Sequence, residues 1–384
     1  MKVARNNSRQ ERANGKDAQG SVASLHKYML WIILACMDVP AFSDPVIEQK
    51  DASLGLPHLD AAHAAVDNAK ARLGERLFFD KRLSADAQVS CGTCHLPERS
   101  FTDGIPRSKG HRGSIGTRNA PSLLNVTYLQ SLFWDGRAAN LSAQARAPFT
   151  NPVEHALADE EALVLIVRND QSYATEFARL YPSAAANIRL ETILDALVHY
   201  EHTLRAGGSP FDRYYYGKQI KAMSAAAVRG FELFRGRANC TSCHTIGPKG
   251  SLLTDQSFHV ATRGIPRAVN DALPVLAQKV VAAANGDDRR ELERLIATDA
   301  DLAALGRFLV TLDPADIGKF KTPSLRNVAL TAPYMHDGSV ETLQQAVELE
   351  LYSRGAVAHP IVLTTAEKAD VVEFLGALSS PRLR

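Results

Sequence analysis

Cysteine is scarce, and its placement excludes a disulfide framework. The chain has five cysteines; four sit in two five-residue patterns and the fifth, Cys36, stands alone near the N-terminus, which leaves no spare pair to bridge. No excess of either charge sign is present: 44 basic and 42 acidic residues give a net charge of +2. That balance gives no reason to expect nucleic acid as a partner, although a local docking patch can hide within it. Long apolar runs are also missing. Tyr28 to Met37 is the one candidate, too short to span a bilayer. Stretches with the two-residue alternation of strands are rare, so the expected fold class is all-α.

The two patterns are Cys91-Gly92-Thr93-Cys94-His95 and Cys240-Thr241-Ser242-Cys243-His244. Cys-x-x-Cys-His is the attachment pattern of a c-type haem. Its thiols form thioethers with the porphyrin, and the adjoining neutral imidazole is a good axial ligand to iron. A zinc or redox Cys-x-x-Cys is the alternative for one copy; two copies, each followed directly by His, favour two covalent haems.

With 384 residues there is room for two cores. Residues 1–43 read as an export signal, basic and then apolar, with cleavage after Ser43. A lipoprotein site at Cys36, leaving a lipid anchor, is the alternative. The location expected is therefore the periplasm. Residues 44–210 form a first haem domain and residues 211–384 a second. A polar lead-in runs from Asp44 to Leu59, and helical spacing follows from Ala69 to Phe79, with Leu73 and Leu77 one turn apart. Further helices are expected over Leu141–Ala147, Asp159–Arg168 and Ile188–Leu204. Ala206-Gly207-Gly208-Ser209-Pro210 breaks the pattern. The second half repeats the plan: Ser224 caps a helix through Phe234, a haem pattern follows, and a charged helical insertion covers roughly Val275 to Leu305. A closing helix starts at the capping box Thr364-Thr365-Ala366-Glu367, with Val371, Val372, Leu375 and Leu378 as its inner face.

Four further blocks complete the picture: Phe133-Trp134-Asp135-Gly136-Arg137, Asn151-Pro152-Val153-Glu154, Thr322-Pro323-Ser324-Leu325-Arg326-Asn327 and Tyr334-Met335-His336-Asp337-Gly338. In this order, with the haem patterns, the chain resembles the bacterial diheme cytochrome c peroxidase family, including its MauG-like branch, from Ala69 to Leu378. The resemblance implies two cytochrome-c-like domains, peroxide reacting at the N-terminal haem and electrons arriving through the C-terminal one. It makes Glu154 the acid/base, Gln144 a hydrogen-bonding distal residue and Trp134 a relay between the haems. Asn119, Thr331 and Pro333 match a calcium site between the domains, where hard oxygen donors suit the ion. His336 reads as a hydrogen-bonding residue of a haem pocket.

Two positions imply different branches. His111 lies where some members keep a second histidine on the first haem, released on reduction. The segment Glu348 to Gly355 lacks the methionine those members place on the second haem. Tyr352 there resembles the tyrosine ligand of MauG-like members, and an ungapped match puts Glu350 in its place. Partners implied are hydrogen peroxide and either a small redox protein (cytochrome c or cupredoxin) as donor or a protein substrate. A homodimer is left open, as is a non-enzymatic diheme carrier.

Overall fold

Two helix pairs, each crossing at a glycine, frame the protein. In the computed structural model, residues 52–59, 65–182, 188–261, 266–286, 289–354 and 361–381 are described; the expected export signal and Cys36 lie outside them. The longer helices are α1 (Asn68–Phe79), α2 (Leu141–Thr150), α3 (Glu160–Arg168), α4 (Gln171–Leu180), α5 (Leu190–Glu201), α6 (Pro210–Tyr215), α7 (Ala225–Arg235), α8 (Leu273–Asn285), α9 (Arg289–Thr298), α10 (Leu343–Arg354) and α11 (Thr365–Gly376).

Helix α1 starts where the Asp67 carboxylate accepts from the Ala69 and Lys70 amides, satisfying donors that have no partner within the first turn. It buries Leu73 and Leu77 and crosses α5 at Gly74, where a Cβ would lie 1.9 Å from the Ala196 carbonyl oxygen. Helices α7 and α11 meet in the same way: a Cβ on Gly230 would lie 1.8 Å from the Asp370 oxygen. Ser224 caps α7 through the Ala227 amide, and Thr364 with Glu367 forms the capping box of α11. Only a missing side chain permits backbones to approach this closely, so a methyl group at either glycine forces the pair apart.

The loops repeat as well as the helices. Asn125 and Asn327 both adopt left-handed backbone, φ 64° and 61°, which asparagine tolerates. Their carboxamide oxygens accept from the Ala206 and Ser380 amides at 2.8 and 2.7 Å. Each asparagine thereby ties the loop that carries it to the chain just beyond the second helix of its pair.

The described residues hang together as one unit, with separate cores inside it. One is drawn from Leu73 to Leu204, the other from Phe211 to Leu378. A third, smaller core holds the insertion together through Val269, Leu276, Val280, Ile296 and Leu302. The insertion is bracketed by a two-stranded antiparallel sheet, β1 (Phe258–Val260) with β2 (Lys319–Lys321), His259 opposite Phe320. Strands of three residues offer no alternation to read in a sequence. Helix α4, capped by Asp170, and α6, capped by Ser209, were likewise not expected; Ser209 and Pro210 start a helix rather than only ending one. Among the described residues no helix is long and apolar enough to cross a membrane.

Candidate haem and peroxide site

One cavity of about 1310 Å³ runs through both halves, and both Cys-x-x-Cys-His patterns line it. Single small-molecule sites are typically ~300–1,000 Å³, so the space exceeds one such ligand. Cys91 to Cys94 form a single helical turn that exposes both thiols to the cavity, with Ser90 and Thr93 closing a capping box. At the second pattern, Cys240 to Ser242 form a 3-10 turn entered through left-handed Asn239.

The two histidines are oriented alike. His95 Nδ1–H donates to the Phe101 carbonyl at 2.9 Å and His244 Nδ1–H to the Leu253 carbonyl at 2.8 Å. Both acceptor residues have left-handed backbone, φ 59° and 55°. A proton fixed on Nδ1 puts the lone pair on Nε2, the usual arrangement around a ligating histidine. Burial also holds the His95 pKa below its ordinary value, keeping the imidazole neutral. The four thiols share one environment, the wall of the cavity. Burial pushes Cys91 up, and Cys94 and Cys240 to about 12, so the thiols are protonated before anything is attached to them. Among the described residues the one cluster with metal-ligand geometry is Cys243, Asp255 and His259, which uses a single cysteine of one pattern. The residues therefore fit two haems, each held by two thioethers and a histidine.

Glu154 stands on the cavity wall just beyond α2. Asn151 ends that helix, accepts from the Val153 amide through Oδ1 at 3.0 Å and donates from Nδ2 to Glu154 Oε1 at 2.6 Å. Burial raises the Glu154 pKa to about 7, Arg137 opposes the rise and Glu293 adds to it. A group poised near neutrality can both take and return a proton. Gln144, on α2, lines the same cavity.

Trp134 and His336 occupy matching places in the two repeated loops, and the halves are stitched together there. The Trp134 indole donates to the Asn119 carbonyl at 2.9 Å; the Asn119 amide donates to the His336 carbonyl, and the Lys321 amide to the Trp134 carbonyl, each at 2.9 Å. The His336 ring stacks on Phe320 with centroids 3.8 Å apart, and burial with the nearby Arg118 charge lowers its pKa. Asn119, Thr331 and Pro333 all line the cavity. The Asn119 carboxamide nitrogen donates to the Ile105 and Pro106 carbonyls, so its oxygen is the atom left for a cation.

Two of the expected ligands lie off the cavity wall in the structure. His111 does not line the cavity; its Nδ1 lies 3.2 Å from Asp86 Oδ2, while its amide holds the Val153 and Glu154 carbonyls. Tyr352 is 87% exposed, whereas Glu350 and Leu351 on the same helix line the cavity. Tyr352 thus points to solvent and Glu350 to the cavity. A step of two residues turns a helix by more than half a circle, so both cannot face one iron.

Sequence reasoning missed Glu201. It is buried on the cavity wall, its Oε2 has no hydrogen-bond partner among the described residues, and burial raises its pKa to about 8. Its position at the end of an amphipathic helix disguises it as a surface acid. Arg137 was visible in its motif, but its partner Glu293 was not, because 156 positions separate them.

Comparisons with known proteins agree with this geometry. A family profile described as di-haem cytochrome c peroxidase matches residues 68–220. The cytochrome-c peroxidase IdrP1 of Pseudomonas sp. (strain SCT) is 33% identical, covering 81% of this chain and 80% of that one. The methylamine utilization protein MauG of Methylorubrum extorquens is also 33% identical, over 81% of this chain and 78% of its own. Among solved structures, a MauG-like protein associated with microbial copper homeostasis superimposes with a TM-score of 0.64 at 30% identity, covering 85% of this chain and 93% of that one. The chain belongs to the di-haem cytochrome c peroxidase family, as a peroxidase-type oxidoreductase of two cytochrome-c-like domains with two c-type haems.

Proposed function

We propose that the protein reduces hydrogen peroxide to water at its N-terminal haem, with electrons entering through the C-terminal haem from a small cytochrome or cupredoxin. The observation that carries this reading is Glu154, a carboxyl poised near pH 7 on the wall of the cavity that holds Cys91, Cys94 and His95. The haem iron supplies the two-electron redox chemistry when bound. Glu154 takes a proton from the attacking peroxide oxygen and returns it to the departing one, so that one peroxide, two electrons and two protons give two waters. Gln144 orients the peroxide by hydrogen bonding, and Trp134 lies along the route for electrons.

A second reading has its own support. Helix α10 offers Glu350, not methionine, to the C-terminal part of the cavity, near enough to Cys240 to raise its pKa. An anionic oxygen ligand favours ferric and higher oxidation states, which suits MauG-like oxidation of Trp or Tyr side chains on a partner protein. Redox state separates the two. Peroxide turnover that requires prior one-electron reduction is the expected result. Ferric protein that instead consumes peroxide and yields a two-electron-oxidised spectrum establishes the second reading. No turnover in either state leaves an electron carrier.

The leader and the interdomain oxygens extend the proposal to periplasmic export and one bound calcium ion, with Asn119, Thr331 and Pro333 as ligands. Native mass spectrometry tests both: the expected species starts at Asp44 and carries two haems and one calcium. An intact leader, a lipid on Cys36 or a calcium-free mass would each remove its element of the reading.

A further inference from the structure

The insertion belongs to the second half of the chain, yet it closes over the first haem site. Three contacts tie it there. Thr117 Oγ1 donates to the Ile296 carbonyl at 2.6 Å, Arg118 donates to the Ala303 carbonyl, and Arg137 Nε donates to Glu293 Oε2 at 3.0 Å. Ile296 and Ala297 stand on the wall of the cavity that Glu154 also lines. Helix α9 thus brings apolar packing to the cavity and, behind its wall, a carboxylate paired with the cavity-lining Arg137.

The hydrogen bonds of Arg137 go to acids other than Glu154. Its Nη1 lies 3.0 Å from both oxygens of fully buried Asp135, and Nε is given to Glu293. Its guanidinium is held over the Phe133 ring at 3.5 Å. Glu154 takes its hydrogen bond from Asn151 instead. We infer that Glu293 is a positioning residue for the peroxide chemistry, pairing with Arg137 so that the guanidinium is not free to hold Glu154 permanently ionised. The inference rests on the assignment of Glu154 as acid/base.

The other groups around Glu154 leave this pair as the adjustable one. Asp135 is committed to Arg137 and Arg118. His155 spends Nδ1–H on the Leu83 carbonyl, and His111 faces Asp86. Cys91 and Cys94 carry no charge as thioethers, and Glu201, which lines the same cavity near Cys91, is not among the groups that shift Glu154. Glu293 is 42% exposed, so replacing it leaves the core intact, and its field is partly screened.

In the haem-loaded protein, Glu293→Gln should shift the midpoint of the pH rise in peroxide consumption to the acid side by about half to one unit. The protonated-carboxyl infrared band of the ferric protein, assigned by its loss in Glu154→Gln, should shift by the same amount without turnover. Glu293→Asp should return both midpoints toward the native value. If Glu293→Gln moves neither midpoint while Glu154→Gln removes both rate and band, the inference fails and the acid/base assignment stands. If Glu154→Gln leaves rate and band in place, the assignment itself falls.

Discussion

Glu154→Gln lowers peroxide consumption by about 10²–10⁴-fold, the usual contribution of a placed general acid/base, while both haems stay attached. Glutamine keeps the length and the oxygen that accepts from Asn151 Nδ2, so the pocket retains its shape. What it cannot do is take a proton from peroxide and hand it back. The pH profile reports the same loss. Because burial places the native group near 7, the rate should rise as pH passes upward through that value and the carboxylate forms. In the variant that limb should be absent. Steady-state peroxide consumption by half-reduced protein, normalised to covalent haem, is the measurement; a rate within threefold of native would remove Glu154 from the chemistry.

How much of this was legible in the sequence depends on how far apart the cooperating residues lie. The haem patterns, the capping box at Thr364 and the cap at Ser224 are local, and their geometry follows from a few neighbouring residues. Gly74 and Gly230 are visible as glycines in helical runs, but the carbonyls they admit belong to helices far along the chain. The Arg137–Glu293 pair is hidden for the same reason. Tyr352 and Glu350 show a different limit. Residues two apart on a helix face different ways, and α10 has no strong apolar stripe from which to read its inner side; only its packing shows that Glu350 turns inward. His111 shows a simpler limit: its glycine-flanked loop sets no direction for the imidazole, and Asp86 supplies one. Chemistry was readable where motifs carry it, and long-range charge pairing was not.

Asp212→Ala should cost about 3–5 kcal/mol of stability, because it strands a buried cation. Arg326 and Asp212 are 2% and 0% exposed, and their two-pronged pair measures 2.9 and 3.0 Å. Arg326 also donates to the Ser251 carbonyl at 2.6 Å and to the Gly55 carbonyl. Asp212 in turn accepts from the Ser209 amide and hydroxyl at 3.0 and 2.8 Å, which starts helix α6. One ion pair therefore joins the lead-in, the start of the second half and its repeated loop. Gly55 is essential to the meeting: at φ 80° a Cβ would lie 1.8 Å from Asp212 Oδ1. The lead-in continues this packing, with the Gly207 and Gly208 amides donating to Ala52 and Leu54. In the alanine variant the guanidinium keeps two carbonyls but loses its only close anion among the described residues, and α6 loses half its capping box. Removing both charges, as Asp212→Leu with Arg326→Met, should recover part of the loss, since no unpaired charge remains buried. It should not recover all of it, because the Gly55 and Ser251 carbonyls then lack their donor. Urea unfolding of the haem-loaded protein decides this: a loss under 1 kcal/mol for Asp212→Ala, or a double variant weaker than the single one, would show that the junction is held by packing and not by the pair.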